Sequence, residues 1–287
     1  MLAAVALAAV LAHAERGLAQ APALRPNQIP GYDISWPQCG KPYPTPPVAF
    51  AIIGINGGRP YTANPCFADE YRWAQRFEPN PAVYVNTAFP KPEHREGDNG
   101  PFGPCEPTDD WCRAYNYGYG MLREAVQRAT ALRITPSTWW LDVETNNFWS
   151  LDPEYNVQVL RGALTYIGEH HLPAGIYSTS RQWRIIAGTF APGLPIWIAG
   201  AQGIEGAAAR CFDSSFFFAG GQPRLIQYYD YGFDTNFLCP YGTVGPESIA
   251  SPTPPSPAPT PRSPVPGGHP AAYRGYRSIT LMVAGGD

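Results

Sequence analysis

Short apolar runs alternate with amphipathic stretches through the middle of the chain. The runs Gly31–Trp36, Phe50–Asn56, Ala82–Thr87, Trp139–Glu144, Ala174–Ser178, Pro195–Ala199 and Leu225–Tyr229 are short and largely hydrophobic. Runs of that length and composition predict strands buried on both faces. Between them lie Cys66–Phe77, Asp110–Leu132, Pro153–His171 and Ser180–Ala187, with apolar residues every three or four positions. Val157, Leu160, Leu164 and Ile167 keep that spacing in the third stretch, which predicts a helix with one buried face. An eighth strand is expected around Phe233–Phe237. Buried strands separated by helices predict an α/β fold whose parallel sheet is covered on its outer face. No Gly-x-Gly-x-x-Gly follows the first strand, so a TIM-like (β/α) barrel is expected rather than a doubly wound sheet.

The two ends read differently. Leu2–Ala12 is an unbroken apolar run, shorter than the roughly 20 residues a bilayer span needs. It suits the core of a secretory signal covering residues 1–21, with small residues permitting cleavage after Ala14 or Ala21. Near the other end, Ser251–Pro266 is half proline. It cannot form ladder hydrogen bonds or a core, so 248–268 is expected to be a stiff linker and 269–287 a disordered tail. The folded unit is then 27–242.

Composition narrows the partners. Of 287 residues only 15% are charged, the net charge is -3, and lysine occurs only at Lys41 and Lys91. That gives no basic field for nucleic acid or anionic lipid. The six cysteines are an even number in a chain read as secreted, which predicts disulfides. Cys105 and Cys112 are close enough to clip one loop. Cys39 with Cys66, and Cys211 with Cys239, would join sequential loops. There is no Cys-x-x-Cys, and His170 and His171 are adjacent, so neither a metal nor an organic cofactor is expected.

In a barrel, chemistry sits where strands end and loops begin, at the C-terminal face. The polar residues of this chain collect at those ends. Asp142 and Glu144 close the middle strand after Trp139-Trp140-Leu141. Positions i and i+2 of a strand share a face, about 6.5–7 Å apart, so both carboxylates would point toward the barrel axis. Two carboxylates in a partly dry pocket cannot both ionise easily, so one keeps its proton near neutral pH. Such an acid can protonate a glycosidic oxygen. Asp33 ends the first strand and Asp234 follows the last run. Tyr177, Gln227, Tyr229, Asn86 and Asn56 suit hydrogen bonding to sugar hydroxyl or acetamido groups. Trp197, like Trp36, Phe89, Trp149, Trp183 and Tyr228, offers either core packing or a face for a sugar ring to stack on. No Gly-x-Ser-x-Gly or P-loop competes with this reading.

In order, GYDISWPQ (Gly31–Gln38), FAIIGINGG (Phe50–Gly58), WWLDVET (Trp139–Thr145), AGIYSTS (Ala174–Ser180), PIWIAG (Pro195–Gly200) and LIQYYDYGFDTN (Leu225–Asn236) resemble the family 25 glycoside hydrolases, the Chalaropsis-type lysozymes. The resemblance implies a (β/α)5(β)3 barrel and hydrolysis of the β-1,4 link between N-acetylmuramic acid and N-acetylglucosamine. It implies Glu144 as general acid, Asp142 as its partner, and Asp33 and Asp234 as flanking acids. It also implies peptidoglycan, or a related N-acetylated glycan, as the partner of a secreted or wall-associated, monomeric protein. Either the substrate's N-acetyl group, oriented by Asp142, or a carboxylate acts as nucleophile. Two strand ends depart from the family. Ile55-Asn56-Gly57-Gly58 stands where a Thr-Glu-Gly-like ending is common, and Tyr84-Val85-Asn86-Thr87 where an aromatic-His ending is usual. Those departures favour the other reading, a non-catalytic glycan-binding protein on the same barrel. The insertion Lys91–Trp111 is expected to overhang the cleft.

Overall fold

The alternation of buried runs and amphipathic stretches builds a closed eight-stranded barrel in the computed structural model, which describes residues 29–230 and 232–240. The expected signal, linker and tail, and the two outermost residues at each end of the 27–242 unit, lie outside the described residues. The strands are β1 (Gly31–Ile34), β2 (Ala51–Gly54), β3 (Ala82–Asn86), β4 (Trp139–Asp142), β5 (Ala174–Ser178), β6 (Ile196–Ala201), β7 (Pro223–Asp230) and β8 (Phe233–Leu238). Helices α1 (Phe67–Ala74), α2 (Asp110–Ala131), α3 (Pro153–Glu169), α4 (Ser180–Ala187) and α5 (Gly203–Arg210) follow β2 to β6 in turn.

Two features depart from a uniform run of parallel β/α units. β1 passes to β2 through a 3-10 turn at Trp36–Gln38 instead of an α-helix, and β8 runs antiparallel to both neighbours, β7 and β1. The five β/α units therefore begin at the second strand. The helix-free strands β7, β8 and β1 lie side by side and close the barrel.

Successive strand residues face opposite ways, and this decides what each contributes. Ala51, Ile53, Val83, Val85, Trp139, Leu141, Ile176, Ile198 and Ile226 point outward into the main core shared with the helices. Ile52, Trp140, Tyr177, Trp197 and Leu225 form a separate cluster that fills the interior. Its floor is made of rings set against glycines. A Cβ on Gly175 would come 2.2 Å from the Trp140 ring, and one on Gly31 would come 2.2 Å from the Phe50 ring. Outside the barrel, α2 and α3 cross at a similar backbone approach. A Cβ on Gly118 would lie 1.9 Å from the Val159 carbonyl oxygen.

Disulfides join Cys39 to Cys66, Cys105 to Cys112 and Cys211 to Cys239, the pairings expected from the sequence. The insertion after β3 is anchored on α2. Arg113 of α2 is buried and holds the insertion down, donating from Nε to Asp98 Oδ1 at 2.9 Å and from Nη2 to the His94 carbonyl at 2.6 Å. Asn116 adds bonds to Phe102 N–H and the Gly103 carbonyl. A buried guanidinium needs those acceptors, and the insertion supplies them. Among the described residues, no helix is long and apolar enough to cross a membrane.

Candidate active site

Parallel pairing without a register shift keeps neighbouring side chains on the same face. Asn86, Asp142, Tyr177 and Trp197 are consecutive register partners across β3, β4, β5 and β6, so they form one row inside the barrel. Asp33 and Asp234 face each other across β1 and β8. These six residues, with Tyr84, Glu144 and Gln227, line a cleft of about 140 Å³ at the C-terminal end of the parallel strands. All four expected acids are thus brought to one space.

Hydrogen bonds fix the row. Trp197 Nε1–H donates to Asn236 Oδ1 at 2.8 Å, and Asn236 Nδ2 donates to Asp33 Oδ2 at 2.7 Å. Gln227 Nε2 donates to the same oxygen at 3.0 Å, while Tyr177 Oη–H donates to Gln227 Oε1 at 2.8 Å. The chain of bonds runs through β6, β8, β1, β7 and β5, with Asp33 as its hub. On the opposite wall, Asn86 Nδ2 donates to Asp142 Oδ2. Asp142 is buried, and its Oδ1 has no hydrogen-bond partner among the described residues. Buried polar atoms normally have partners, so this oxygen stands out as an acceptor left for a ligand.

Glu144 lies two residues past the row. Thr179 caps α4 by accepting from Gln182 N–H at 3.1 Å, which sets Gln182 at the helix start. Gln182 Oε1 then accepts from Thr145 N–H at 2.6 Å, and its Nε2 reaches Glu144 Oε1 at 3.4 Å. The Glu144 carbonyl accepts from Trp149 Nε1–H at 2.7 Å, so the backbone carrying the acid is held as well.

Electrostatics follow from crowding four carboxyls in a confined space. Burial, then the charge of Asp234, pushes Asp33 up to about 8 despite the two amides that favour its ionised form. Burial, then the charges of Glu144 and Asp33, raises Asp142 well above the carboxylate range. Glu144 is raised by burial and by Asp234, with Gln182 and Tyr177 pulling the other way. Burial also raises Asp234. The cleft therefore holds protonated acid near neutral pH.

Residues 111–228 match the family model described as Lysozyme-like protein 1, which spans β4 to β7 and so includes Asp142, Glu144, Tyr177, Trp197 and Gln227. The chain is also 28% identical over 126 residues to "Probable GH family 25 lysozyme 4" of Dictyostelium discoideum. The barrel is thus similar to the glycoside hydrolase family 25 lysozymes. That alignment covers 43% of this chain and 48% of the relative, so it spans about half the relative's length. Among solved structures, the modular autolysin LytC of Streptococcus pneumoniae matches with a TM-score of 0.49 at 12% identity, covering 72% of this chain and 46% of that one. A family GH25 lysozyme from Aspergillus fumigatus matches with a TM-score of 0.45 at 14% identity, covering 73% and 93%.

Not every residue expected at the site reaches it. Asn56 is buried outside the cleft lining, and its side chain bonds both to the Asn86 carbonyl at 3.1 Å and to the Asn86 N–H at 3.2 Å. It acts on the cleft through Asn86. Tyr229 is 70% exposed and does not line the cleft. Trp197 is both core and wall, packed edge-on against Tyr177 at 4.5 Å between ring centroids and bonded to Asn236. Phe89, Trp149, Trp183 and Tyr228 are buried packing residues outside the cleft lining. Sequence reasoning missed Tyr84, Asn236 and Gln182. Tyr84 and Asn236 sit two positions from Asn86 and Asp234, and that period of two was the available signal. Among the described residues, no group of three or more His, Cys, Asp or Glu is placed to hold a metal ion.

Proposed function

We propose that this domain is a glycoside hydrolase that cleaves the β-1,4 link between N-acetylmuramic acid and N-acetylglucosamine in peptidoglycan or a related N-acetylated glycan. The observation that carries the proposal is the convergence of Asp33, Asp142, Glu144 and Asp234 on one cleft, walled by Tyr177 and Gln227. A barrel needing only stability gains nothing from four crowded carboxyls. Chemistry that needs a protonated acid beside an acceptor does.

Glu144 is the general acid. Burial and the nearby Asp234 charge raise its pKa and so favour the protonated carboxyl, which gives its proton to the leaving glycosidic oxygen as the C1–O bond breaks. The acetamido oxygen of the same sugar forms the new bond to C1, and the free Oδ1 of Asp142 accepts the acetamido N–H. Water then attacks C1, its proton passing to the Glu144 carboxylate, and the acetamide is restored. Asp33 works indirectly, fixing Gln227 and through it the Tyr177 hydroxyl. The protein acts outside the cell, in keeping with three disulfides, and does so as a monomer.

The test is digestion of purified peptidoglycan, borohydride reduction, and identification of the sugar at each new reducing end. Muramic acid alditol is the expected product. Glucosamine alditol would assign the other glycosidic link. No new ends, with the folded protein still sedimenting with the wall, would make the barrel a binding module.

A further inference from the structure

A second cavity, of about 450 Å³, opens beside the cleft and is larger than the cleft itself. Both are built from the same loops. Asn86 lines the first and Ala88 the second, while Glu144 lines the first and Asn146 the second. Two residues of extended chain span at most about 7 Å, so a substituent on a sugar in the cleft reaches the neighbouring space. The chemistry of the two spaces is opposite. The cleft is walled by four carboxyls. The cavity is walled by rings, among them Phe89, Phe148 and Tyr117, with Arg59 and Lys91 at its edge and Glu93 as its only carboxylate. Lys91 is one of only two lysines in the chain. Arg59 is exposed and Lys91 half-buried, and neither makes an ion pair among the described residues. The insertion contributes Lys91, Glu93 and His94, and the Arg113 bonds described above hold it in place.

We infer that this cavity binds the short peptide carried on the lactyl group of the muramic acid residue, taking its small apolar side chains against the rings and its carboxylates at Arg59 and Lys91. The inference rests on the peptidoglycan reading of the cleft. A glycan without its peptides offers the two cations only the lactyl carboxylate, and the walls only the lactyl and acetyl methyl groups. A stem of alanine-like residues with free carboxylates offers more of both. The cavity thus makes the enzyme selective for glycan that still carries its peptides.

Two substrates separate the possibilities: peptide-bearing glycan strands, and the same strands stripped by an amidase, which keep the lactyl carboxylate. Wild type is expected to prefer the peptide-bearing strands by roughly fivefold in kcat/KM, the scale of two partly exposed charge contacts. The double substitution Arg59→Ala and Lys91→Ala should bring the ratio close to one, and added salt should erode it in the wild type. No preference in the wild type, or a preference that survives in the double variant, overturns the inference. Binding of both strands to Glu144→Gln is measured in parallel. If neither strand is hydrolysed by the wild type but the binding preference holds and depends on Arg59 and Lys91, the catalytic reading falls and the peptide site stands. If both are hydrolysed and bound equally, the reverse is true.

Discussion

On β4 Trp140 stands two positions before Asp142, and on β5 Gly175 stands two positions before Tyr177. Both pairs face the barrel axis, yet the lower level is a ring fitted over a glycine and the upper is a carboxyl beside a phenol. The lower level is a buried ring packed directly on backbone, with no ionisable group. The upper level holds carboxyls that burial pushes toward their neutral forms, and one of its oxygens is left without a partner. The floor stabilises the barrel, while the rim gives up stability to hold acids in a fixed arrangement. Substitutions should therefore have opposite signs at the two levels.

The largest effect on stability is expected from the floor. Trp140→Ala should cost about 3–5 kcal/mol, and Gly175→Ala about 1–3 kcal/mol by forcing the same ring aside. Both are read from denaturant unfolding, and an effect near zero would mean that the floor is loosely packed. At the rim, Asp142→Asn should lower hydrolysis by about 100-fold or more while the thermal midpoint at neutral pH rises, because a buried ionisable group is replaced by a neutral one. A falling midpoint would make Asp142 a structural residue like those beneath it.

Titration sharpens the same contrast. Asp33 titrates near ~4 when unfolded and at about 8 when folded. Between those values the folded state holds a proton that the unfolded state has lost, so stability declines as pH rises. The contribution is complete below ~4 and gone once pH passes the folded value. Asp69 and Asp213 are shifted the other way, so their influence falls below that window. Thermal midpoints taken across the window should decrease, and Asp234→Asn, which removes the charge next to Asp33, should make the decrease shallower. An unchanged slope would show that Asp234 does not act on Asp33. The smallest effect is expected at Tyr229, exposed and outside the cleft. Tyr229→Ala should alter stability by about 0.5 kcal/mol or less and leave the rate within about threefold.

The two levels also differed in how legible they were. The floor and the strands announce themselves as short apolar runs, and β5 and α4 begin and end where the pattern predicts. The acids were legible because carboxylates at strand ends break an apolar pattern. Helix α5 was not predicted, since Gly203 and Gly206 within GIEGAAAR interrupt the apolar spacing. Nor was the antiparallel course of β8, because a strand's direction leaves no mark on its own composition. Of the amides that position the acids, Asn236 shares the period of two with Asp234, whereas Gln182 sits on a helix with no such signal, and only the fold brings it to Glu144. The anchorage of the insertion was not legible for a related reason: the buried charge of Arg113, invisible as such in the sequence, draws it onto α2.

The most direct measurement is made on Glu144→Gln, with hydrolysis of purified peptidoglycan and thermal unfolding followed on the same preparation. The account predicts a rate about a thousandfold lower, with a midpoint equal to or above that of the wild type. A variant that folds with its disulfides intact and still hydrolyses at the wild-type rate would contradict it.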